Sequence, residues 1–282
     1  MTPRKLALVH AFSGFGHSTM SVILPVVSAM GIQGCPLPTA IFSNHTGFPD
    51  WYKYDFTEHM MPFTEAWDRL ELTFDGIYSG YLGSGAQCDA VLTLVQKHPE
   101  AIFFLDPVMG DHGKLYSAIT PEHVAAMKKL VTHAQYILPN LTEACILTDT
   151  PYKEEFSHEE MCEIVSKLHA MGPKHIVITG IRDKDMLTNY ISELPCTTPP
   201  FDVLPQIKAV TLPIAGNSRP GTGDIFGSVV ISGILKGQHL EQSVQKAARF
   251  VSDCIKISDE NNLPIREGTC FELVLPTLIR QE

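Results

Sequence analysis

Short apolar runs alternate with amphipathic segments along most of the chain, and this alternation limits the possible folds more than any other feature. Lys5–Val9 has the length and composition of a buried strand, and Ser18–Met30 follows it with apolar side chains at helical spacing. Repeated alternation of this kind predicts a largely parallel sheet with helices on both faces. The remaining predicted elements are strands at Gly76–Tyr78, Ile102–Leu105, Tyr136–Leu138 and His175–Ile178, and helices at Cys88–Lys97, Pro121–Thr132 and His158–Met171.

The C-terminal third departs from this alternation. The proline-rich segment Pro195–Pro220 contains two strand-like runs, Phe201–Leu204 and Ile207–Leu212. We interpret this segment as an antiparallel edge of the sheet followed by a loop, because prolines are tolerated at sheet edges. Two predicted helices, Asp224–Leu235 and Leu240–Ser258, then close the pattern.

Composition excludes several classes of function. Hydrophobic residues make up 44% of the 282 residues, enough for a sizeable core, and the formal net charge is −10. An acidic chain is poorly suited to nonspecific binding of nucleic acid or anionic membranes. No apolar run reaches the ~20 residues of a membrane-spanning helix, and the seven cysteines form no Cys-x-x-Cys pair. We therefore expect a single domain over residues 1–282, without nucleic-acid or membrane partners, in a reducing cytoplasm.

Polar residues follow several of the predicted strands. Asp106 comes directly after one strand, Asn140 comes two residues after the next, and Thr179 comes directly after the third. Ligands of parallel α/β sheets bind beyond the carboxyl ends of the strands. The pattern therefore predicts that these side chains lie together at a binding site.

The motif Gly221-Thr222-Gly223-Asp224 stands where a predicted helix begins. Two glycines one residue apart allow unusual backbone dihedrals, so that free N–H groups at the helix start can form an anion hole. Asp224 could remove the proton of a hydroxyl group held beside that hole, which is the combination that phosphoryl transfer requires. The tetrapeptide alone is equally compatible with a helix start whose Asp acts as a cap.

Gly-Thr-Gly-Asp near the C-terminal end of an α/β chain resembles the ribokinase-like superfamily. Further segments narrow the resemblance to pyridoxal kinases, because they occur in the same order and at similar spacing there. With Gly16-His17, the resemblance extends from about Leu6 to the helix after Asp224. The more common Walker and dinucleotide-binding glycine motifs are absent from the sequence. The segments are Phe42-Ser43-Asn44-His45-Thr46, Ser79-Gly80-Tyr81-Leu82-Gly83-Ser84, Asp106-Pro107-Val108-Met109-Gly110 and Pro139-Asn140-Leu141-Thr142-Glu143.

The resemblance implies a ribokinase-like three-layer α/β/α sandwich with a central, mostly parallel sheet. It also implies a kinase that uses Mg²⁺ and ATP to phosphorylate the 5′-hydroxymethyl group of a vitamin B6 vitamer, in salvage of pyridoxal 5′-phosphate. Asp224 is then the general base, and Gly221, Thr222 and Gly223 supply the anion hole. The family further suggests a homodimer and a role for a monovalent cation such as K⁺.

On the nucleotide side, the resemblance assigns ATP binding to Asp106, Asn140, Glu143 and Thr179. Asp106 and Glu143 would place Mg²⁺, partly through water. Plainer interpretations stay open: an Asp-Pro pair can simply start a turn, and Asn140 with Glu143 three residues later is close to a capping box. Both can hold, because a helix start can also line a site. A strand-end threonine such as Thr179 can also have no role.

On the substrate side, Thr46 could hydrogen-bond substituents of the pyridine ring. Tyr81 could pack against the ring or be a core residue. His17 receives no catalytic role, since a lone histidine is more often a structural hydrogen-bonding group. The substrate residues implied by the resemblance are Ala11, Ser13, His45, Thr46, Gly47, Tyr81 and Asp224.

Three positions depart from the family pattern. Ala11 stands where many bacterial members have Ser, and Gly47 where Gln is frequent, so two side-chain hydrogen-bond partners are missing from the ring pocket. Gly180 stands where some members have Lys, which could alter ATP affinity. The segment 110–116 is polar and contains glycine, which suits a mobile flap and equally an ordinary surface turn.

Other functions remain as alternatives. A hydroxymethylpyrimidine kinase of thiamine synthesis is the nearest, but Ala11–His17 lacks the glycine-rich stretch of that family. Sugar kinases usually have a longer N-terminal insertion. A catalytically inactive relative that binds a nucleotide or vitamer is a further alternative, although the intact Gly221–Asp224 motif argues against it. A structural or interaction protein would need no such set of glycines and acids at strand ends.

Overall fold

A computed structural model of the chain describes residues 2–194 and 205–279. The predicted strand at 201–204 lies outside the described residues. The strands are β1 (Arg4–Ser13), β2 (Ile32–Phe42), β3 (Lys53–Asp55), β4 (Gly76–Ser79), β5 (Ile102–Leu105), β6 (Gly110–Asp111), β7 (Lys114–Leu115), β8 (Tyr136–Ile137), β9 (His175–Asp183), β10 (Met186–Glu193) and β11 (Ile207–Pro213). The helices are α1 (Met20–Ala29), α2 (Thr57–Arg69), α3 (Gly85–Lys97), α4 (Pro121–Val131), α5 (Leu141–Leu147), α6 (His158–Ala170), α7 (Thr222–Leu235), α8 (Leu240–Glu260), α9 (Phe271–Val274) and α10 (Pro276–Ile279).

Within the described residues, nine strands form one sheet in the order β11-β10-β9-β8-β5-β4-β1-β2-β3. The six strands from β9 to β2 run parallel to one another. β3 is antiparallel at one edge, and β10 and β11 form an antiparallel ribbon at the other. The mostly parallel sheet and its antiparallel edge are therefore confirmed.

Helices cover both faces of this sheet, so the fold is a three-layer α/β/α sandwich. Leu6 and Leu8 of β1 point into a core formed with α1, α7 and α8. Ala7 and Val9 point into a second core formed with α3, α4 and α6. Burial on both faces explains why β1 has a continuous apolar sequence. No helix of the described part of the chain is both long and apolar enough to cross a membrane.

β2 and α2 were not predicted from the sequence, because both contain prolines. β2 contains Pro36 and Pro38, which lie opposite Leu8 and His10 of β1. β3 pairs only with the end of β2, from Ala40 to Phe42. The first part of β2 is therefore an edge, where a missing N–H removes no pairing. α2 likewise contains an internal proline.

Candidate active site

The Gly221-Thr222-Gly223-Asp224 motif begins α7, as the sequence predicts. Gly221 is the N-cap residue and has φ of 77°, a left-handed conformation that disfavours other residues. A Cβ atom at Gly221 would also lie 2.0 Å from the carbonyl oxygen of His17. Thr222 donates its hydroxyl to the carbonyl oxygen of Arg219 at 3.0 Å. The N-cap of α7 thus carries no side chain. This allows the start of the helix to pack closely against the loop after β1.

The carboxylate of Asp224 is held by a second helix start. Its Oδ2 accepts the backbone N–H of Thr19, the residue before α1, at 2.7 Å. Thr19 has φ of 54° and ψ of −139°, a conformation that is costly for any residue except glycine. This contact, across two segments of the chain, distinguishes Asp224 from an ordinary helix cap. Asp224 therefore lies at the junction of α1 and α7.

Burial raises the pKa of Asp224 to about 6, and the N–H of Thr19 opposes part of that rise. A carboxylate with a pKa near neutrality is better matched to accepting a proton than an exposed one. Asp106 follows β5, and its N–H donates to the carbonyl oxygen of Ser79 at 2.9 Å. Burial, together with the charge of Asp224, raises the pKa of Asp106 to about 8. The two acids are therefore close enough to repel, and a cation between them would favour their ionised forms.

Asn140 and Glu143 form a complete capping box at the start of α5. Asn140 Oδ1 accepts the N–H of Glu143 at 2.9 Å, and Glu143 Oε2 accepts the N–H of Asn140 at 2.9 Å. Glu143 Oε1 accepts the N–H of Met109 at 3.1 Å, and Asn140 Nδ2 donates to the carbonyl oxygen of Gly110 at 2.9 Å. The cap interpretation is confirmed. The same cap ties α5 to the segment that follows Asp106.

The donor set indicates how a metal could be held. Glu143 is buried, and burial with the charge of Asp106 raises its pKa well above the ordinary range. Both of its carboxylate oxygens already accept N–H groups. In residues 2–194 and 205–279, no three His, Cys, Asp or Glu side chains are grouped as metal ligands. Such a site suits Mg²⁺ that arrives with phosphate oxygens and water and uses one or two carboxylates.

Thr179 lies beside Asn140 but inside β9, which continues to Asp183, so the prediction that this strand ends at Ile178 is wrong. Its N–H donates to the carbonyl oxygen of Pro139 at 2.9 Å, and Asn140 and Thr179 form an isolated parallel bridge. Gly180 follows with its N–H on Asn189 Oδ1 at 3.1 Å. A Cβ atom at Gly180 would meet nothing within 4 Å. The site is thus open where some family members carry a lysine.

The segment 110–116 contains a short hairpin beside these acids. Gly110 pairs with Leu115 in the β6–β7 ribbon, and the N–H of Gly113 donates to Thr142 Oγ1 at 2.9 Å. Tyr116 is partly exposed, and burial together with the charge of Glu143 raises its pKa. The segment is therefore a hairpin docked on the start of α5.

The predicted substrate residues fall into three settings. Ala11 and Tyr81 belong to a small apolar cluster with Ala40 and Phe42, so Tyr81 is partly a core residue. Thr46 and Gly47 are exposed. Ser13 is buried, and its Oγ accepts the hydroxyls of Ser18 at 3.2 Å and Thr19 at 3.3 Å. The Ser13 side chain thus supports the loop that binds Asp224.

Both ring nitrogens of His45 are in use. Nδ1 accepts the N–H of Gly47 at 3.0 Å, and Nε2 lies 2.6 Å from the carbonyl oxygen of Arg266. The first contact requires an unprotonated Nδ1, so Nε2 carries the hydrogen and donates. His45 therefore connects its loop to the C-terminal part of the chain.

Comparison with known proteins agrees with this geometry. The sequence model of the family described as phosphomethylpyrimidine kinase matches residues 24–269. The chain belongs to this family. A pyridoxal kinase from Arabidopsis thaliana is 34% identical over 167 residues, which cover 57% of this chain and 52% of that protein. The pyridoxal kinase resemblance is thereby confirmed.

Solved structures extend the agreement to the whole fold. A Bacteroides thetaiotaomicron protein assigned as a phosphomethylpyrimidine kinase is 35% identical, with a TM-score of 0.93 over 100% of this chain and 96% of that one. Another crystal form of that protein was obtained with pyridoxal. Pyridoxal kinase from Lactobacillus plantarum is 26% identical, with a TM-score of 0.89 over 98% of this chain and 96% of its own. The ribokinase-like fold and the assignment as a kinase are confirmed.

Three features of the kinase site were not predicted. Thr19 supplies the N–H that binds Asp224. Arg219, directly before Pro220 and the glycine motif, is 4% exposed. The carbonyl oxygens of Arg266 and Glu267 accept hydrogen bonds from the loops that contain His45 and His17. An arginine beside a glycine motif was a possible signal, but no sequence pattern marks the other two contacts.

Proposed function

We propose that this kinase transfers the γ-phosphoryl group of ATP to the 5′-hydroxymethyl group of a vitamin B6 vitamer. The observation that carries the proposal is the setting of Asp224. This residue lies in the first turn of α7, and its carboxylate accepts the N–H of Thr19, the residue before α1. Supporting evidence for the acceptor comes from relatives that are named pyridoxal kinases, and from the Bacteroides protein crystallised with pyridoxal.

In the proposed reaction, Asp224 accepts the proton of the hydroxymethyl group as its oxygen attacks the γ-phosphorus. The bond from that phosphorus to the bridging oxygen breaks, and ADP leaves. Backbone N–H groups of Gly221, Thr222 and Gly223 stabilise the charge on the phosphoryl oxygens, helped by the dipole of α7. The ionised form of Asp224 is required, so its pKa of about 6 leaves it ready at neutral pH.

Nucleotide binding is assigned to Asp106 after β5, Asn140 and Glu143 at the start of α5, and Thr179 in β9. Bound Mg²⁺ would neutralise phosphate charge and lie near Asp106, whose raised pKa reflects an uncompensated acid. Glu143 would act through water, because N–H groups occupy both of its oxygens. Replacing K⁺ with a tetraalkylammonium ion in the assay tests whether a monovalent cation is also needed.

The vitamer ring is assigned to Ala11, Thr46, Gly47 and Tyr81. Thr46 is exposed and is the proposed hydrogen-bond partner of the ring. Tyr81 is proposed to pack against the vitamer ring, and within the protein its own ring lies 6.1 Å from that of Phe42. Ser13 and His45 act by supporting the surrounding loops.

A homodimer in the cytoplasm is part of the proposal. Several large apolar side chains at the β1–β2–β3 edge are exposed, which is typical of an interaction surface. Light scattering on the purified kinase should give twice the mass of one chain. The exposed residues are Phe12, Ile41, Trp51, Tyr52 and Tyr54.

A hydroxymethylpyrimidine kinase is the second candidate, because the matching family is described as phosphomethylpyrimidine kinase, an activity on the phosphate of the same pyrimidine. ADP release from Mg²⁺-ATP would be measured with pyridoxal, pyridoxamine, pyridoxine, hydroxymethylpyrimidine and ribose as acceptors. Turnover with at least one vitamer is expected. Turnover with the pyrimidine alone would favour the second candidate, and nucleotide binding without any turnover would indicate an inactive relative.

A further inference from the structure

A buried arginine lies directly beside the anion hole. Arg219 is 4% exposed, and the two terminal nitrogens of its guanidinium each donate to oxygen atoms, while its Nε is buried without a partner. Nη1 donates to the carbonyl oxygen of Gly268 at 2.8 Å and to that of Pro264 at 3.4 Å. Nη2 donates to Asp259 Oδ1 at 2.6 Å and to the carbonyl oxygen of Leu263 at 3.0 Å. The charge is thus compensated by a carboxylate and three backbone dipoles.

These oxygens belong to one segment, Leu263–Gly268, and to the end of α8 just before it. We call Leu263–Gly268 the clasp. A planar guanidinium can reach several separate acceptors in fixed directions, which a lysine ammonium cannot reproduce. Removing such a group leaves buried acceptors without a partner, which is costly. Arg219 therefore fixes the position of the clasp.

The clasp contacts the loops on the substrate side. The carbonyl oxygen of Glu267 accepts the N–H of His17 at 2.9 Å, and that of Arg266 accepts His45 Nε2 at 2.6 Å. A Cβ atom at Gly268 would lie 2.7 Å from His17 Cβ and 3.2 Å from the carbonyl oxygen of Pro220. The clasp thus touches the loop after β1, the loop around His45 and the residue before the anion hole.

Arg219 is also bonded through its main chain to the motif itself. Its carbonyl oxygen accepts the hydroxyl of Thr222 at 3.0 Å. One end of the residue is therefore attached to the anion hole, and the other end holds the segment that carries the substrate loops. We propose that Arg219 is a positioning residue that aligns the anion hole with the acceptor through the clasp. The proposal rests on the proposed function for its kinetic consequence only.

The test compares Arg219→Ala with Arg4→Ala. Arg4 forms an exposed ion pair with Asp75 at 2.7 Å, at the start of β1, so its loss controls for removal of an arginine–aspartate pair. Misalignment by a fraction of an ångström to 1 Å should lower kcat by ~10–100-fold in Arg219→Ala. The KM for ATP should change less than the KM for the acceptor. Arg4→Ala should match the parent kinase.

Chemical rescue separates positioning from general damage. Added guanidinium chloride at non-denaturing concentrations should restore part of the kcat of Arg219→Ala. Sodium chloride at the same concentrations should restore none of it. Arg219→Lys should stay low, because one ammonium cannot reach the separated acceptors. A folded Arg219→Ala with parental kinetics would overturn the proposal, and so would a loss of kcat that guanidinium leaves unchanged.

Hydrogen exchange gives a readout that does not depend on the acceptor. In Arg219→Ala, amides of 16–19 and 263–268 should exchange faster, while those of β4 and β5 stay protected. If the parent protein phosphorylates no vitamer, the proposed function fails, but this exchange pattern still supports the clasp. Uniformly faster exchange would overturn it. If Arg219→Ala does not fold, Asp259→Asn replaces it. This variant should show the same local exchange pattern and a ~3–10-fold lower kcat. Unchanged exchange and kcat in Asp259→Asn would overturn the positioning role of Arg219.

Discussion

The proposed nucleotide side and the proposed acceptor side of the site are built differently. On the nucleotide side, Asn140 and Glu143 bond to each other three residues apart, at the end of a parallel strand. On the acceptor side, Thr19 reaches Asp224 across 205 residues, and His45 reaches Arg266 across 221. Local contacts survive small shifts of the fold, whereas long-range contacts depend on how its parts are docked. We therefore expect small shifts of the fold to weaken nucleotide binding less than they weaken acceptor binding and turnover.

Asp224→Asn should have the largest effect and should separate the two sides. Losing the base is expected to lower kcat by ~10²–10⁴-fold while the ATP dissociation constant stays within about threefold. ADP release and calorimetric titration of ATP measure the two quantities. Asp253→Asn, at an exposed position of α8, is the control. Parental turnover in Asp224→Asn would remove that residue from its role.

The pH profile tests the acceptor side on the acidic limb, which lies below the raised pKa of Asp106. Because the pKa of Asp224 is raised to about 6, the base is protonated below that pH. We expect kcat/KM to fall about tenfold per pH unit below 6 and to level off above it. A profile that is flat from pH 5 to 7 would contradict this assignment.

Glu143→Gln tests the nucleotide side and has a close control. The amide places an N–H₂ group against backbone N–H donors, so the free energy of unfolding should fall by about 1–2 kcal/mol. The KM for ATP should rise about tenfold, with a smaller change in the acceptor KM. Glu160 forms the same capping box with Ser157 at the exposed start of α6. Glu160→Gln should lose less stability and leave both KM values unchanged. An equal loss of ATP binding in both variants would show that Glu143 affects ATP binding only through helix capping.

Asp106→Asn should stabilise the protein at the expense of nucleotide binding. The pKa of Asp106 is about 8 when folded, against an ordinary value of 3.8. Between these values the folded state holds more protons than the unfolded state, so stability is lost as pH rises. The variant should gain about 1–2 kcal/mol at pH 8 and less at pH 5. Thermal melts at both pH values measure the difference, and an equal gain at both would exclude this cause.

Thr19→Gly should have the smallest effect. It keeps the N–H that binds Asp224 and relieves the backbone strain at φ of 54°. The gain in unfolding free energy should be about 0.5–1 kcal/mol, with kcat within about twofold. A large loss of kcat would mean that the threonine hydroxyl, and not the N–H, holds the acceptor side together.

The sequence could predict the parts of the molecule that are local. The apolar run of β1, the Gly221–Asp224 motif and the cap at Asn140 each depend on neighbouring residues, and the structure has all of them. The prolines of β2 concealed a strand whose edge position only the tertiary structure reveals.

The long-range contacts could not be predicted. Thr19 adopts a glycine-like conformation that no residue preference indicates. Arg219 and the clasp are joined by main-chain acceptors, which carry no sequence signature. Family resemblance named His45 as a substrate residue, but the contact of its Nε2 depends on where Arg266 lies.

The two glycines of the anion hole are not equivalent. At Gly221 the carbonyl oxygen of His17 leaves no room for a methyl group, whereas a Cβ atom at Gly223 would meet nothing within 4 Å. Gly221 therefore cannot be replaced by a residue with a side chain, whereas Gly223 can. A methyl group at Gly223 would change the surface at the start of α7 without a steric clash. A library aimed at new alcohol acceptors should begin there.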